Sequence, residues 1–113
     1  AYDFGPAVCA FPWQERDESL SDAGLLVNTT SQGMVAQPPL DIKIDALPKS
    51  ALVADIVYAP LETPLLRQAR NHGAQCVDGL GMLFHQARPA FYDWTGKMPE
   101  VTAALRELIV ATL

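Results

Sequence analysis

The sequence predicts an α/β protein built on a parallel sheet, and two observations carry that prediction. Short apolar segments alternate with amphipathic helices or long crossovers along the chain, which is the pattern that parallel sheets require. Two of these segments, "LLVNT" and "ALVADIV", are near-continuous aliphatic runs rather than alternating polar and apolar positions. Such runs are typical of strands that are covered on both faces.

Four strands and two connecting loops follow from the pattern of apolar runs and turn residues. The strands are predicted at residues 6–13, at the start of 24–34, at 51–60 and at 74–79. Residues 14–23 are acidic and polar, which predicts a loop with a helical turn. Residues 35–50 are punctuated by proline, which predicts a connection with a short turn around 45–47.

Three helices are predicted from capping residues and helical periodicity. Residues 62–73 have Thr63 as a cap, Pro64 at the first helical position and Gly73 as a terminator. A second helix follows Gly79 and ends at residues 95–96, and Pro89 inside it predicts a kink or a weakened turn. A third helix is expected to open at Pro99. The apolar stripe of the second helix is Leu80, Leu83, Ala87, Phe91 and Trp94.

Length, composition and charge exclude several classes of protein. The chain has 113 residues, a net charge of −5 and 50% hydrophobic residues, which suits one small globular domain. Lysine and arginine are scattered, so we expect no nucleic-acid partner. No apolar run reaches the roughly 18 residues of a membrane span, and no secretory signal is visible. We therefore expect no membrane partner and a cytoplasmic location.

The cysteines and histidines show no metal-ligand spacing. Cys9 and Cys76 are far apart and each lies in an apolar, strand-like context, which predicts buried free thiols. His72 and His85 are unpaired in the sequence. We therefore expect no metal site.

Polar residues and glycines follow three of the predicted strands. One strand continues into "NTTSQG" at residues 28–33, another into Tyr58, and the last into Asp78 and Gly79. Parallel α/β sheets bind ligands in a crevice outside the carboxyl ends of their strands. The sequence therefore predicts a ligand site along this edge.

Each of these features also has a purely structural interpretation. Residues 28–33 fit an ordinary turn, and Tyr58 fits a half-buried strand aromatic. Gly79 and Gly81 fit a tight strand-to-helix turn, and Gln86 fits a surface residue beside the apolar stripe. A buried amide needs hydrogen-bond partners, however, and a polar ligand would supply them.

Three ordered motifs together resemble a known family. The strings "LVNTTSQGM", "ADIVYAPLETPLLRQA" and "DGLGMLFHQARPAFYDWTGKMP" closely resemble the C-terminal part of shikimate dehydrogenase, over nearly all of residues 25–99. The resemblance implies a partial Rossmann-like parallel sheet with flanking helices. Residues 1–113 would form the second half of an NADP-binding domain plus C-terminal helices.

The resemblance also implies an activity and a set of site residues. The family reversibly reduces 3-dehydroshikimate to shikimate with NADPH. Tyr58 and Gln86 match the pair that contacts the substrate. Thr29 stands where the family usually has alanine, and many relatives carry methionine at the position of Ile56. The residues matching the cofactor side are Asn28, Thr29, Thr30, Ser31, Ile56 and Gly79.

Parts of the family pattern are missing from these 113 residues. No Gly-rich phosphate loop occurs, and no Lys/Asp pair matches the catalytic pair of the substrate domain. The chain also starts in mid-pattern without Met. We therefore expect a fragment that carries no catalytic residue and is inactive alone.

The missing half has a consequence for the sheet. In the Rossmann strand order 3-2-1-4-5-6, strands 1 and 2 would separate residues 6–13 from residues 24–28. We expect the edge exposed in this way to be covered by formation of a homo-oligomer or by a repositioned first strand.

Two other functions remain open. One is a quinate/shikimate dehydrogenase that uses NAD, and the other is a non-catalytic α/β binding module derived from a dehydrogenase. The upstream sequence of the gene would discriminate between an enzyme and a module.

Overall fold

A three-stranded parallel sheet forms the centre of the computed structural model, which describes residues 5–113. The strands are β1 (Leu25–Asn28), β2 (Leu52–Asp55) and β3 (Gln75–Val77), and they lie in the order β1-β2-β3. Leu26 pairs with Val53, and Val53 pairs with Cys76. The predicted parallel α/β architecture is therefore confirmed.

Three helices accompany the sheet. They are α1 (Pro64–His72), α2 (Leu80–Thr95) and α3 (Ala103–Val110), and two single-turn 3-10 helices, Trp13–Glu15 and Glu18–Leu20, precede β1. Helix α1 has the predicted ends, because the Thr63 hydroxyl accepts a hydrogen bond from the Leu66 amide and Gly73 has φ 94°. It connects β2 to β3 as the crossover of a parallel pair.

The hydrophobic core lies between α1 and one face of the sheet. Val53 is fully buried in the middle strand, and the inner side of α1 buries Leu65, Leu66 and Ala69 against it. The connection before β2 closes this core with Ile44 and Leu47. One face of a sheet packed by a crossover helix is the minimal βαβ unit.

The other face of the sheet is open within residues 5–113. Side chains alternate between faces along a strand, and the register puts Val27, Ala54 and Val77 together on this second face. Val27 is 41% exposed and Val77 is 48% exposed. The expectation that the strands are covered on both faces is therefore wrong for the described residues, since their buried apolar cluster packs on the first face.

The first predicted strand does not form. Residues 6–12 are exposed and belong to no strand, and Cys9 is exposed rather than buried. An extended segment without a neighbouring strand has no partner for its backbone groups, so it stays solvated. A repositioned first strand is one of the two expected ways to cover the β1 edge, and within residues 5–113 the sheet contains no such strand. Residues 1–4, where the sequence starts without Met, lie outside the described residues.

The later helices differ from the prediction in extent and burial. Helix α3 begins at Ala103 rather than Pro99, because Thr102 caps it by accepting a hydrogen bond from the Leu105 amide. Helix α2 continues through Pro89, but only Leu80 of its apolar stripe is buried, and Trp94 is 82% exposed. Among the helices of residues 5–113, none combines the length and apolar character needed to cross a bilayer.

Replacing Gly73 with alanine tests the left-handed end of α1. A Cβ at Gly73 would come no closer than 3.8 Å to Lys49, so backbone conformation is the main cost. We expect Gly73→Ala to lower the free energy of unfolding by about 1–2 kcal/mol in urea titrations. Gly24→Ala is the control, because Gly24 has an ordinary φ and open space around it. Equal effects of the two substitutions would contradict this account of the helix end.

Candidate functional site

An open pocket of about 350 Å³ lies at the carboxyl ends of β1 and β2. Its lining contains no charged side chain and combines hydroxyl groups with apolar surface. The first turn of α2 closes one side through Met82. The lining residues are Thr29, Thr30, Ser31, Met34, Ile56, Val57, Tyr58, Ala59 and Met82.

The Asn28 side chain holds the loop that borders this pocket. Its amide nitrogen donates to the Gln32 carbonyl and to Asp55 Oδ1, each at 3.1 Å. Its amide oxygen accepts from the backbone N–H of Thr30 at 3.0 Å and from the Thr30 hydroxyl at 2.8 Å. All four hydrogen-bonding positions of the amide are thus used inside the protein. Asn28 therefore holds the conformation of the loop, and its side chain has no donor or acceptor left for a ligand.

Asp55 links the two strand ends to helix α1. It is 2% exposed and pairs in register with Asn28. Its Oδ1 accepts from the Val57 amide at 3.0 Å, and its Oδ2 accepts from the Thr63 hydroxyl at 2.7 Å. Removing one partner from such a buried group leaves a polar atom without compensation, which is costly. The pocket therefore rests on a buried polar network rather than on aliphatic packing alone.

Exposed residues that carry hydroxyl groups line the pocket. Within residues 5–113 the hydroxyls of Thr29, Ser31 and Tyr58 form no hydrogen bond with another protein group, and all three residues line the pocket. The Thr30 hydroxyl differs, since it donates to the Asn28 side-chain oxygen and accepts from the backbone N–H of Gln32. The loop thus has a framework pair, Asn28 and Thr30, and a pair available to a ligand, Thr29 and Ser31.

Gly79 is required by the close approach of two backbone segments. A Cβ at this position would lie 2.2 Å from the Ile56 carbonyl oxygen and 2.7 Å from that of Val57. The residue is buried and precedes the first turn of α2. The bare backbone at Gly79 therefore makes room for the end of β2. Gly81 has no such neighbour within 4 Å.

Comparisons with known proteins identify the family of this chain. The family model for the shikimate 5'-dehydrogenase C-terminal domain matches residues 79–109. The shikimate dehydrogenase (NADP(+)) of Azorhizobium caulinodans is 53% identical over 113 residues, which is 100% of this chain and 40% of that protein. The chain belongs to the shikimate dehydrogenase family.

Solved structures of related dehydrogenases share the fold. Quinate dehydrogenase from Corynebacterium glutamicum in complex with NAD aligns with a TM-score of 0.76 and 37% identity, over 87% of this chain and 34% of that one. Shikimate 5-dehydrogenase from Thermus thermophilus in complex with NADP(H) and shikimate aligns with a TM-score of 0.67 and 34% identity, over 83% of this chain and 34% of that one. By this similarity, the sheet corresponds to part of a Rossmann-like sheet. The chain spans about 40% of the Azorhizobium relative's length.

Most of the site residues expected from the shikimate dehydrogenase motifs lie together. Thr29, Thr30, Ser31, Ile56 and Tyr58 line the pocket. Asn28 does not line the pocket but is hydrogen-bonded to the lining residue Thr30, and Gly79 packs on the backbone of Ile56.

Gln86 is the exception among the expected site residues. It is exposed and does not line the pocket. It lies four residues after Met82 and so on the same side of α2, about 6 Å further along the helix axis. The structure thus places Gln86 beyond the pocket, on the helix side that Met82 presents to it.

Several residues important to this geometry were not singled out from the sequence. Asp55 is a charged residue inside an aliphatic strand, and that interruption was a signal for it. The sequence indicates Thr63 only as a helix cap, although its hydroxyl also donates to Asp55. Met82 follows Gly79 by three residues, which places the two on one helix side. Met34 and Val57, which also line the pocket, carry no local signal of their own.

The two glycines at the start of α2 are a matched pair for testing the Gly79 approach. Gly79→Ala forces backbone atoms apart, and we expect it to lower the free energy of unfolding by about 1–3 kcal/mol. Gly81→Ala should instead raise it by about 0.5–1 kcal/mol, because alanine is the better helix former. Urea denaturation measures both. A neutral Gly79→Ala would show that the approach of α2 to β2 is looser than described.

Proposed function

We propose that this chain is part of an oxidoreductase that reversibly reduces 3-dehydroshikimate to shikimate with NADPH. The observation that carries the proposal is the uncharged, hydroxyl-bearing pocket at the carboxyl ends of β1 and β2. An α/β sheet of this type binds its cofactor at such an edge. Family membership and the relative named shikimate dehydrogenase (NADP(+)) support the choice of substrate and cofactor.

The residues present fit the nicotinamide end of the cofactor. The flat nicotinamide ring can pack on Ile56 and Met82, while the free hydroxyls of Thr29 and Ser31 offer hydrogen bonds to polar groups at its margin. NADPH supplies the hydride when bound. In this proposal Asn28 and Thr30 hold the loop, and Gly79 lets α2 begin beside the pocket.

Tyr58 and Gln86 are proposed to contact the substrate. Tyr58 is at the pocket and its hydroxyl has no partner within residues 5–113. Gln86 lies about one turn beyond Met82 on α2. Its side-chain amide would form hydrogen bonds with hydroxyl or carboxylate groups of a substrate that extends out of the pocket. Both side chains orient the substrate; neither supplies the proton that the carbonyl oxygen must receive.

We propose that the proton donor and the phosphate-binding loop lie outside these 113 residues. The chain would then be the second half of an NADP-binding domain plus C-terminal helices, and inactive by itself. Its coverage of about 40% of the Azorhizobium relative supports this division. The uncovered sheet face is also consistent with it, because parallel sheets are normally covered on both faces.

Quinate oxidation with NAD is the second candidate. It is favoured by the structural match to quinate dehydrogenase with NAD, whose TM-score of 0.76 exceeds the 0.67 of the shikimate dehydrogenase structure. The two candidates share this pocket and differ in substrate and cofactor.

Steady-state kinetics of the full-length protein test the proposal directly. We expect NADP+ reduction with shikimate at a kcat/KM at least about tenfold above that for NAD+ with quinate, equivalent to about 1.4 kcal/mol. The 113-residue chain assayed in parallel should give no turnover. A preference for quinate and NAD+ would select the second candidate, and absence of both activities would overturn the proposal.

Substitutions at Tyr58 and Gln86 test the substrate contacts. We expect Gln86→Ala to weaken use of shikimate by roughly 1–3 kcal/mol in kcat/KM, since one hydrogen-bond partner is removed. Tyr58→Phe should act in the same direction but more mildly. His85→Ala and Tyr92→Phe alter exposed neighbours on α2 and serve as controls. Kinetics of Gln86→Ala that match those of His85→Ala would remove Gln86 from the site.

A further inference from the structure

The hydrogen bond between Thr63 and Asp55 joins the start of α1 to the ligand pocket. We infer that Asp55 and Thr63 are positioning residues: together they set the conformation of the pocket loop at residues 29–32 and, through it, the affinity for the cofactor. The identity of that cofactor rests on the proposed function. The effect on the loop conformation follows from the contacts alone.

The Thr63 hydroxyl has two roles at once. It accepts from the Leu66 amide at 3.3 Å, as a helix cap, and donates to Asp55 Oδ2 at 2.7 Å. Thr63 is 0% exposed, so water cannot replace either contact without rearrangement. The hydroxyl is therefore the fixed point from which the orientation of the Asp55 carboxylate is determined.

The other oxygen of Asp55 passes this orientation to both strand ends. Oδ1 accepts from Asn28 Nδ2 at 3.1 Å and from the Val57 amide at 3.0 Å. A rotation of the carboxylate would lengthen both bonds, because both converge on one atom. Asn28 in turn holds Thr30 through two hydrogen bonds to its amide oxygen. A chain of direct contacts thus runs from the cap of α1 to the pocket loop.

Neither positioning residue belongs to the pocket lining. Substituting Thr63 therefore removes no contact with a bound molecule, and any change in affinity must pass through the loop. A purely structural role would instead lower stability and leave the loop unchanged. This difference separates positioning from capping in an experiment.

Three variants of the full-length protein isolate the contact. Thr63→Val keeps the shape and removes the hydroxyl, and Thr63→Ser restores the hydroxyl. Thr102→Val is the matched control, because Thr102 caps α3 in the same way, accepting from Leu105 at 3.2 Å, and has no hydrogen bond to a carboxylate within residues 5–113. The measurements are residue-level amide hydrogen exchange, thermal denaturation and the KM for NADP+.

For Thr63→Val we expect faster exchange at the amides of Thr30, Gln32 and Val57, and a KM for NADP+ raised at least about threefold. Thr63→Ser should stay near the wild type in both readouts. Thr102→Val should lower the Tm with loop exchange and KM unchanged.

The outcomes distinguish this inference from the proposed function. Wild-type exchange at the loop amides of Thr63→Val, with only a lower Tm, would overturn the inference and leave Thr63 as a helix cap. Faster loop exchange in a protein whose wild type does not turn over NADP+ would support the positioning of the loop and overturn the proposed function. Faster exchange together with an unchanged KM for NADP+ would overturn the link to affinity.

Discussion

The carboxylate of Asp55 connects the parts of the molecule on which the candidate site depends. Its two oxygens accept hydrogen bonds from Asn28 at the end of β1, from the Val57 amide beyond β2, and from the cap of α1. Buried polar groups of this kind stabilise one arrangement when every partner is present and destabilise the fold when one is missing. The carboxyl-end edge of this sheet is therefore held in one conformation by its own polar residues.

A second constraint is steric and fixes the beginning of α2. The backbone at Gly79 approaches the Ile56 carbonyl so closely that no side chain fits between them. Because α2 starts at this contact, its first turn brings Met82 to the pocket. The polar network and the close approach together form a pocket with hydroxyl groups on one side and apolar surface on the other. Such a lining suits a flat, largely apolar ring with polar groups at its margin.

Many large apolar side chains are exposed on the surface of residues 5–113. One face of the sheet, the outer edge of β1 and the second half of α2 expose large apolar side chains, including Leu25 and Phe91. Exposed apolar side chains that lie together are typical of surfaces that contact other molecules, including further protein. Together with the partial coverage of the Azorhizobium relative, they support the proposal that this chain is one part of a larger domain.

The sequence by itself determined the parallel α/β class, the ends of α1 and the motif positions around the pocket. These depend on residues near one another in the chain, as with Thr63, Pro64 and Gly73, whose capping roles follow from local backbone geometry. Tertiary structure alone decided which strand faces are buried, that residues 6–12 form no strand, and why Gly79 lacks a side chain. Those outcomes depend on distant partners: Asn28 and Asp55 are 27 residues apart, and the hydrogen bond between them exists only because β1 and β2 pair in register.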